Sequence, residues 1–330
     1  RGCQGAHHGE VRRLSPPATD AAHFDAELTR LRGHPWAAGE RIAVAVSGGP
    51  DSLALLLLAH AALGSRVVVL TVDHGLRADA AAEAAMVGKV CAARGIDRVT
   101  LRWEGAKPAA NLQAAARDAR YALMRDWCAA HGVDWLATAH HRDDVAETLL
   151  MRLARGAGLA GLSGPRPRRD LGQGVTLLRP LLDATHADLV ALVAAAGLQA
   201  VDDPANRSPR FDRTAARALL AATPWLDPAR LAASAAHLAQ AETALDWAAG
   251  LAWDSRVEAE GDVLTLDVAG LPDEITRRVL LRGLRTLNPD ATPRGPDVER
   301  LMAACAAGRT ATLAGVQARG GGRWRLLRLG

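Results

Sequence analysis

Lysine is nearly absent from this 330-residue chain. Lys89 and Lys107 are the only two, although Lys and Arg together number 40 against 36 Asp and Glu. The formal charge of +4 is thus carried almost wholly by arginine, which grips phosphate as a bidentate fork and suits a nucleic-acid partner. A general bias towards Ala, Arg and Gly would give the same balance. Cysteine is scarce as well: Cys3, Cys91, Cys128 and Cys305 are scattered, with no C-x-x-C pair. That argues against a disulfide framework and fits a reducing compartment. Long apolar runs are missing; Leu53–Leu63 is about half of the ~20 residues that a membrane span needs. No basic-then-apolar leader opens the chain, so a cytoplasmic protein without a membrane partner is expected. The first residue is Arg, so a truncated or mis-assigned start is expected.

What is present is a pattern of strands alternating with helices. Arg41–Val46 is a short β-branched run, followed by the breakers Ser47, Gly48, Gly49 and Pro50 and then the apolar helix Leu53–Leu63. Further strands are expected at Arg66–Val72, Arg98–Trp103, Asp134–Thr138 and Val175–Leu178. Helices are expected at Asp79–Arg94, Leu112–Ala130 and Val145–Arg155. This alternation predicts an α/β fold with a doubly wound parallel sheet, whose ligands gather at the carboxyl ends of its strands. The polar clusters fall at those ends: Ser47–Ser52, Asp73-His74, and His140-His141-Arg142-Asp143-Asp144.

The remainder divides the chain further. Residues 1–38 read as a partly disordered extension, 39–224 as the catalytic domain and 225–255 as a helical linker built on Leu231–Ala252. Residues 256–330 read as a small α+β domain. That last segment is expected to hold the strand LTLDV, helices Asp273–Leu287 and Pro296–Ala307, and closing strands Thr312–Val316 and Trp324–Leu329. Gly156–Gly174 reads as one long Gly/Pro/Arg-rich loop.

The Gly pair at 48–49 lets backbone approach a ligand, and the following helix start offers free N–H groups to an anion. Ser47 and Ser52 add hydroxyls. Asp51 can hold Mg²⁺ between phosphate oxygens or simply cap the helix. No Lys-Ser/Thr follows, so this is not the P-loop of kinases and GTPases. SGGPDS (47–52) instead resembles the SGGxDS loop of the ATP pyrophosphatases, which cleave ATP to AMP and pyrophosphate.

Further segments narrow the resemblance. VDHGLR (72–77), NLQAAARDARY (111–121), TAHHRDDVAETLLMRLARGAGLAGLSG (138–164), RPLL (179–182), DDPANRSPRF (202–211) and RTATLAGVQA (309–318) are similar to those of the bacterial tRNA(Ile)-lysidine synthetase family. That resemblance covers about residues 40–330 and implies a reaction. ATP adenylates carbon-2 oxygen of the wobble cytidine in tRNA(Ile) with a CAU anticodon, and free L-lysine then displaces AMP to give lysidine. It implies ATP and Mg²⁺ as cofactors, tRNA and lysine as partners, and leaves a homodimer open. Two departures stand out. Thr214 sits where the family often carries Asn, between Arg213 and Arg217, and the further C-terminal domain of some members is expected to be lacking or lost here.

Carried onto this chain, the resemblance gives ATP contacts at Ser47, Gly48, Gly49, Pro50, Asp51, Ser52, Asp73 and His74, the last two through side chains or backbone alone. Arg117 and Arg120 lie three apart on one helix face, where they can clamp phosphate or face solvent. Asp51, Arg117, His140 and Asp144 are the candidate catalytic residues, with His140 or a carboxylate as base. Asp143 and Asp144 are candidates to bind lysine, although Asp144 and Glu147 also approach capping-box spacing. A metal set of His140, His141 and Asp144 lacks an evident fourth ligand. Arg207, Arg210, Arg213 and Arg217, with Arg166, Arg168 and Arg169, are candidates for tRNA phosphates. Other functions fit less well. A tRNA thiolase needs cysteines for sulfur or a cluster, yet Cys91 and Cys128 fall inside predicted helices. An amidotransferase would need a glutaminase domain, and a non-catalytic nucleotide module leaves the Asp, His and Arg clusters unexplained.

Overall fold

The structure, a computed structural model, describes residues 20–75, 80–105, 107–108, 112–201 and 212–329. It divides into two compact units, residues 1–236 and 237–330.

In the first unit, helix α1 (Ala21–Arg32) precedes β1 (Ile42–Ala45), α2 (Pro50–Leu63), β2 (Val67–Asp73), α3 (Ala80–Ala92) and β3 (Asp97–Arg102). Then come α4 (Leu112–Ala130), β4 (Trp135–Ala137), α5 (Arg142–Leu153) and a single turn, α6 (Leu159–Leu162). The unit continues with β5 (Arg168–Asp170), β6 (Thr176–Leu178), α7 (His186–Ala195), α8 (Asp212–Ala222) and the start of α9 (Pro228–Arg256). The sheet order is β3-β2-β1-β4-β6-β5. All neighbours are parallel except the edge strand β5. The expected doubly wound sheet is present, and its order reverses between β1 and β4, where a crevice opens at the strand ends.

The strand period of two sorts this sheet into layers. Ile42, Val44 and Val46 face one core with Phe24 and Leu28 of α1, Leu53 and Leu56 of α2, and Leu189 of α7. Ala43, Val68, Leu70 and Leu136 face the other with Tyr121, Met124 and Cys128 of α4. Helix α2 is apolar all round because α1 and α7 cover it; each fully buried leucine there contributes about 2 kcal/mol. Helix α1 supplies Phe24 and Leu28 to this core, so it is integral to the unit.

Several boundaries differ from the sequence reading, and two of them bear on the site. Helix α5 begins at Arg142, three residues before the expected start, so Asp143 and Asp144 lie in its first turn. Inside the expected loop 156–174, α6 forms and Arg168–Asp170 pair antiparallel with β6.

The second unit contains the rest of α9, then β7 (Val257–Glu260), β8 (Val263–Leu266), α10 (Asp273–Leu287), α11 (Gly295–Ala306), β9 (Thr310–Leu313), β10 (Val316–Arg319) and β11 (Trp324–Arg328). The five strands form an antiparallel sheet, β7-β8-β11-β10-β9, and α10 and α11 share one apolar core with it. The expected strand Thr312–Val316 in fact crosses a hairpin. Ala314 and Gly315 both have positive φ, 51° and 73°, which a two-residue primed turn requires. Among the described residues, no helix is long and apolar enough to cross a membrane.

Candidate active site

Strand β1 ends into the glycine loop, and Gly48 adopts φ +93° because the chain must reverse before α2. A Cβ there would meet Met86 Cε at 3.2 Å and Val201 Cγ2 at 3.4 Å. The loop is shaped from within by Ser52, whose side chain is buried. Its hydroxyl accepts from the N–H groups of Ser47 (3.1 Å) and Gly48 (3.2 Å), and donates to the carbonyl of Gly49 (2.9 Å). Here the hydroxyl of Ser52, a candidate ATP contact, serves the loop itself. Pro50 occupies the first turn of α2, where its missing N–H costs nothing.

Asp51 follows in that first turn and meets two histidines. Its Oδ1 lies 2.8 Å from His186 Nδ1 and its Oδ2 lies 3.5 Å from His141 Nε2. Burial opposes ionisation of Asp51, but the contacts with His141 and His186 prevail and hold its carboxyl well below the usual carboxylate range.

His141 is the hub. It is 3% exposed and caps α5, across the crevice from the glycine loop. Its Nδ1 stands 3.4 Å from Asp143 Oδ2, and its Nε2 stands 3.6 Å from Asp144 Oδ2. Burial lowers its basicity, yet Asp143, Asp51 and Asp144 override this and raise its pKa to about 10. It is therefore an imidazolium among three carboxylates at neutral pH. Asp143 also accepts the N–H of His186 at 2.7 Å, which caps α7, and the charged His141 ring 3.4 Å away holds its pKa low against burial. Asp144 accepts the His141 N–H at 3.2 Å, one half of a capping box. Capping and charge clustering thus coexist in the same two aspartates.

His140 faces a different field. Its Nδ1 lies 3.0 Å from Thr138 Oγ1. Burial first, then the charges of Arg179, Arg117, Arg120 and Arg213, press its pKa well below the ordinary imidazole value, so it stays neutral. Arg117 and Arg120 both approach the Tyr121 ring, at 5.3 and 5.5 Å. Arg179 is 4% exposed; it donates to the Arg166 carbonyl and leaves its Nε without a partner. Burial and neighbouring cations lower the pKa values of Arg120 and Arg179, and no carboxylate among the described residues pairs with Arg117, Arg120 or Arg179.

Other expected site residues stand further out. Asp73, at the end of β2, accepts the Gly75 N–H at 2.9 Å, and His74 meets the Trp103 ring edge-on at 6.1 Å. Arg213 and Arg217 on α8 turn towards α5. Arg217 Nε is 2.8 Å and Arg213 Nε 3.3 Å from the carboxylate of Glu147, whose side chain is 1% exposed. Arg213 and Arg217, candidates for tRNA phosphates, thus share one carboxylate within the chain, while their side chains stay 41% and 52% exposed. Arg207 and Arg210 lie outside the described residues.

Sequence reasoning missed His186, Glu147 and Arg179 as site residues and assigned His141 only to a metal set. Glu147 was visible in the capping-box spacing, whereas no local pattern connects position 186 with position 51.

A strand–SGGPDS–helix turn at the reversal of a doubly wound sheet defines a protein of the PP-loop ATP pyrophosphatase class. The PP-loop domain family matches residues 21–223. The U34-tRNA thiolase NcsA from Methanococcus maripaludis shares the fold, with a TM-score of 0.55 at 18% identity over 66% of this chain and 79% of that one. Within the class, the tRNA(Ile)-lysidine synthase of Novosphingobium aromaticivorans is 48% identical over 292 residues, 87% of this chain and 89% of that one. The tRNA(Ile)-lysidine synthase of Zymomonas mobilis is 40% identical over 323 residues, 97% of each chain. The chain belongs to the tRNA(Ile)-lysidine synthase family.

Proposed function

We propose that this chain uses ATP to join free L-lysine to carbon-2 of the wobble cytidine in tRNA(Ile) with a CAU anticodon, releasing pyrophosphate and AMP, and that it does so in the cytoplasm. One observation carries the reading. The carboxyl ends of β1 and β4 have two poles: carboxylates at Asp51, Asp143 and Asp144, and, at Arg117, Arg120 and Arg179, arginines without acidic partners among the described residues. Arg179 is buried and Arg120 partly buried, with exposed Arg117 beside them, and buried cations are costly unless an anion joins them. The arginine pole therefore suits phosphate oxygens, and the carboxylate pole suits a cationic amino acid.

In the first half-reaction the cytidine oxygen attacks the α-phosphorus and pyrophosphate leaves. Arg117 and Arg120 stabilise the charge that develops there. The carboxylate of Asp51, ionised and beside the glycine loop, fits a hard oxygen-seeking cation; it would hold Mg²⁺, which supplies charge neutralisation between phosphate oxygens. In the second half-reaction the lysine ε-amine forms the C–N bond and AMP departs. Asp143 and Asp144 attract the ammonium, which must lose a proton before it can attack. His140 is neutral, and with Nδ1–H donated to Thr138 its Nε2 lone pair can take that proton. Asp73 and His74, at the neighbouring strand end, stand where the nucleoside would lie.

The deciding assay is pyrophosphate release from ATP, with and without tRNA and lysine. Turnover should need tRNA, lysidine should need both, and Asp51→Ala should abolish AMP formation while the protein stays folded. Pyrophosphate release indifferent to tRNA, or near-normal turnover by Asp51→Ala, would overturn the reading.

A further inference from the structure

Asp51, His141 and His186 each present one donor atom, and these three atoms lie within 4.8 Å of one another. Two imidazoles and a carboxylate are a borderline-soft set, unlike the all-oxygen shell that Mg²⁺ demands. His186 Nδ1 stands at an ordinary hydrogen-bond distance from Asp51 Oδ1, 2.8 Å, but the His141 contact is longer. His141 Nε2 is 3.5 Å from Asp51 Oδ2, beyond the 2.7–3.2 Å of an N–H···O bond. Donors bound at ~2.1 Å around a tetrahedral ion stand about 3.4 Å apart.

The second observation is the other side of the His141 ring. This residue is 3% exposed, yet its Nδ1 has no hydrogen-bond partner; the nearest carboxylate, Asp143 Oδ2, waits at 3.4 Å. A carboxylate facing the far nitrogen of an imidazole is the arrangement that orients a metal-ligating histidine. The side chain of His186 is 52% exposed, which gives an ion an approach among the described residues.

We propose that Asp51, His141 and His186 form a binding site for a transition-metal cation of the Zn²⁺, Co²⁺ and Mn²⁺ class. On binding, His141 releases its Nε2 proton to solvent and ligates through that nitrogen with Asp143 orienting its ring, and His186 ligates through Nδ1. Because Asp51 is shared, a cation held here excludes Asp51 from the metal role assigned to it during ATP activation.

The test is titration of the full chain with Co²⁺, read by its visible absorption and so independent of turnover. Cys3, His7 and His8 near the amino terminus are themselves metal-ligating types, so all measurements use a Cys3→Ser, His7→Ala, His8→Ala background. The expected result is one saturable band per chain, displaced by Zn²⁺ but not by an equal concentration of Mg²⁺. His186→Asn, at an exposed position, should weaken binding at least tenfold with unchanged far-ultraviolet circular dichroism. Asp51→Asn should do the same. Absence of a saturable band, displacement by equal Mg²⁺, or undiminished binding by folded His186→Asn would each overturn the proposal.

Discussion

His186 Nδ1 lies 2.8 Å from Asp51 Oδ1, although 135 residues separate them in the chain. The contact exists because the sheet order reverses beside β1, which brings the start of α7 against the start of α2. Two helix N-termini and the capping residue of a third, His141, thus converge on one carboxylate. Asp51 is held ionised and aimed before any ligand arrives.

Asp144 separates the two half-reactions. Asp144→Asn removes a negative charge from the pole that attracts lysine but leaves the arginine pole intact. It should raise the KM for lysine and slow lysidine formation, while adenylation of tRNA without lysine stays largely intact. A split assay checks this, trapping adenylated tRNA first and then chasing with lysine. Lost adenylation with normal lysine affinity would move Asp144 to the ATP site.

The arginines divide into exposed and internally paired groups. Arg169 is exposed on the edge strand β5, so Arg169→Ala should lower the log–log salt slope of tRNA binding by about 0.7–0.9. Arg217→Ala should leave that slope unchanged but cost about 1–2 kcal/mol of stability, because buried Glu147 loses its 2.8 Å partner. Binding across a salt series and urea unfolding read the two effects separately.

Glu40 gives the fold an acid limb. Burial opposes its ionisation, but the Ala37 N–H, the Arg32 guanidinium and the Trp135 indole N–H outweigh burial and lower its pKa from about 4.5 to about 2. A carboxyl depressed by folding contributes stability that is complete above its unfolded pKa and is lost as pH falls through the folded value. Urea midpoints should therefore fall between pH 4.5 and 2, and fall less steeply in Glu40→Gln. Parallel curves for the two proteins would contradict this.

The second unit depends on one buried ion pair. Arg278 and Glu242 have side chains 9% and 6% exposed and meet at 2.7 Å, with Glu274 also at 2.7 Å from Arg278. Arg278→Met leaves Glu242 charged and unpaired, and should cost about 3 kcal/mol in urea unfolding. Arg278→Met combined with Glu242→Gln should recover much of that loss, because no bare charge then remains buried.

Much of the fold was legible because its signals are local. The run IAVA followed by SGGP marks a buried strand, a tight reversal and a helix start, whatever the rest of the chain does. Leu112–Ala130 and Asp273–Leu287 match their helices residue for residue, since long periodic segments carry their own pattern. The hairpin at Ala314-Gly315 was hidden, because an alanine at positive φ gives no turn signal and the apolar run continues through it. Strand β5 was hidden for a related reason: Arg168–Asp170 is exposed and forms only by pairing with β6 at the sheet edge.

The sequence by itself determined the parallel sheet, the glycine loop and the acidic and basic residues that gather at strand ends, because each follows from spacing within a few residues. Tertiary structure alone decided which of those residues meet. Ser52 serves its own loop, Glu147 takes up Arg213 and Arg217, and His186 reaches Asp51. The physical reason is that side-chain partnership and pKa depend on distances of a few ångströms between segments far apart in the chain. Those distances are set by strand order and burial, which residue spacing does not encode.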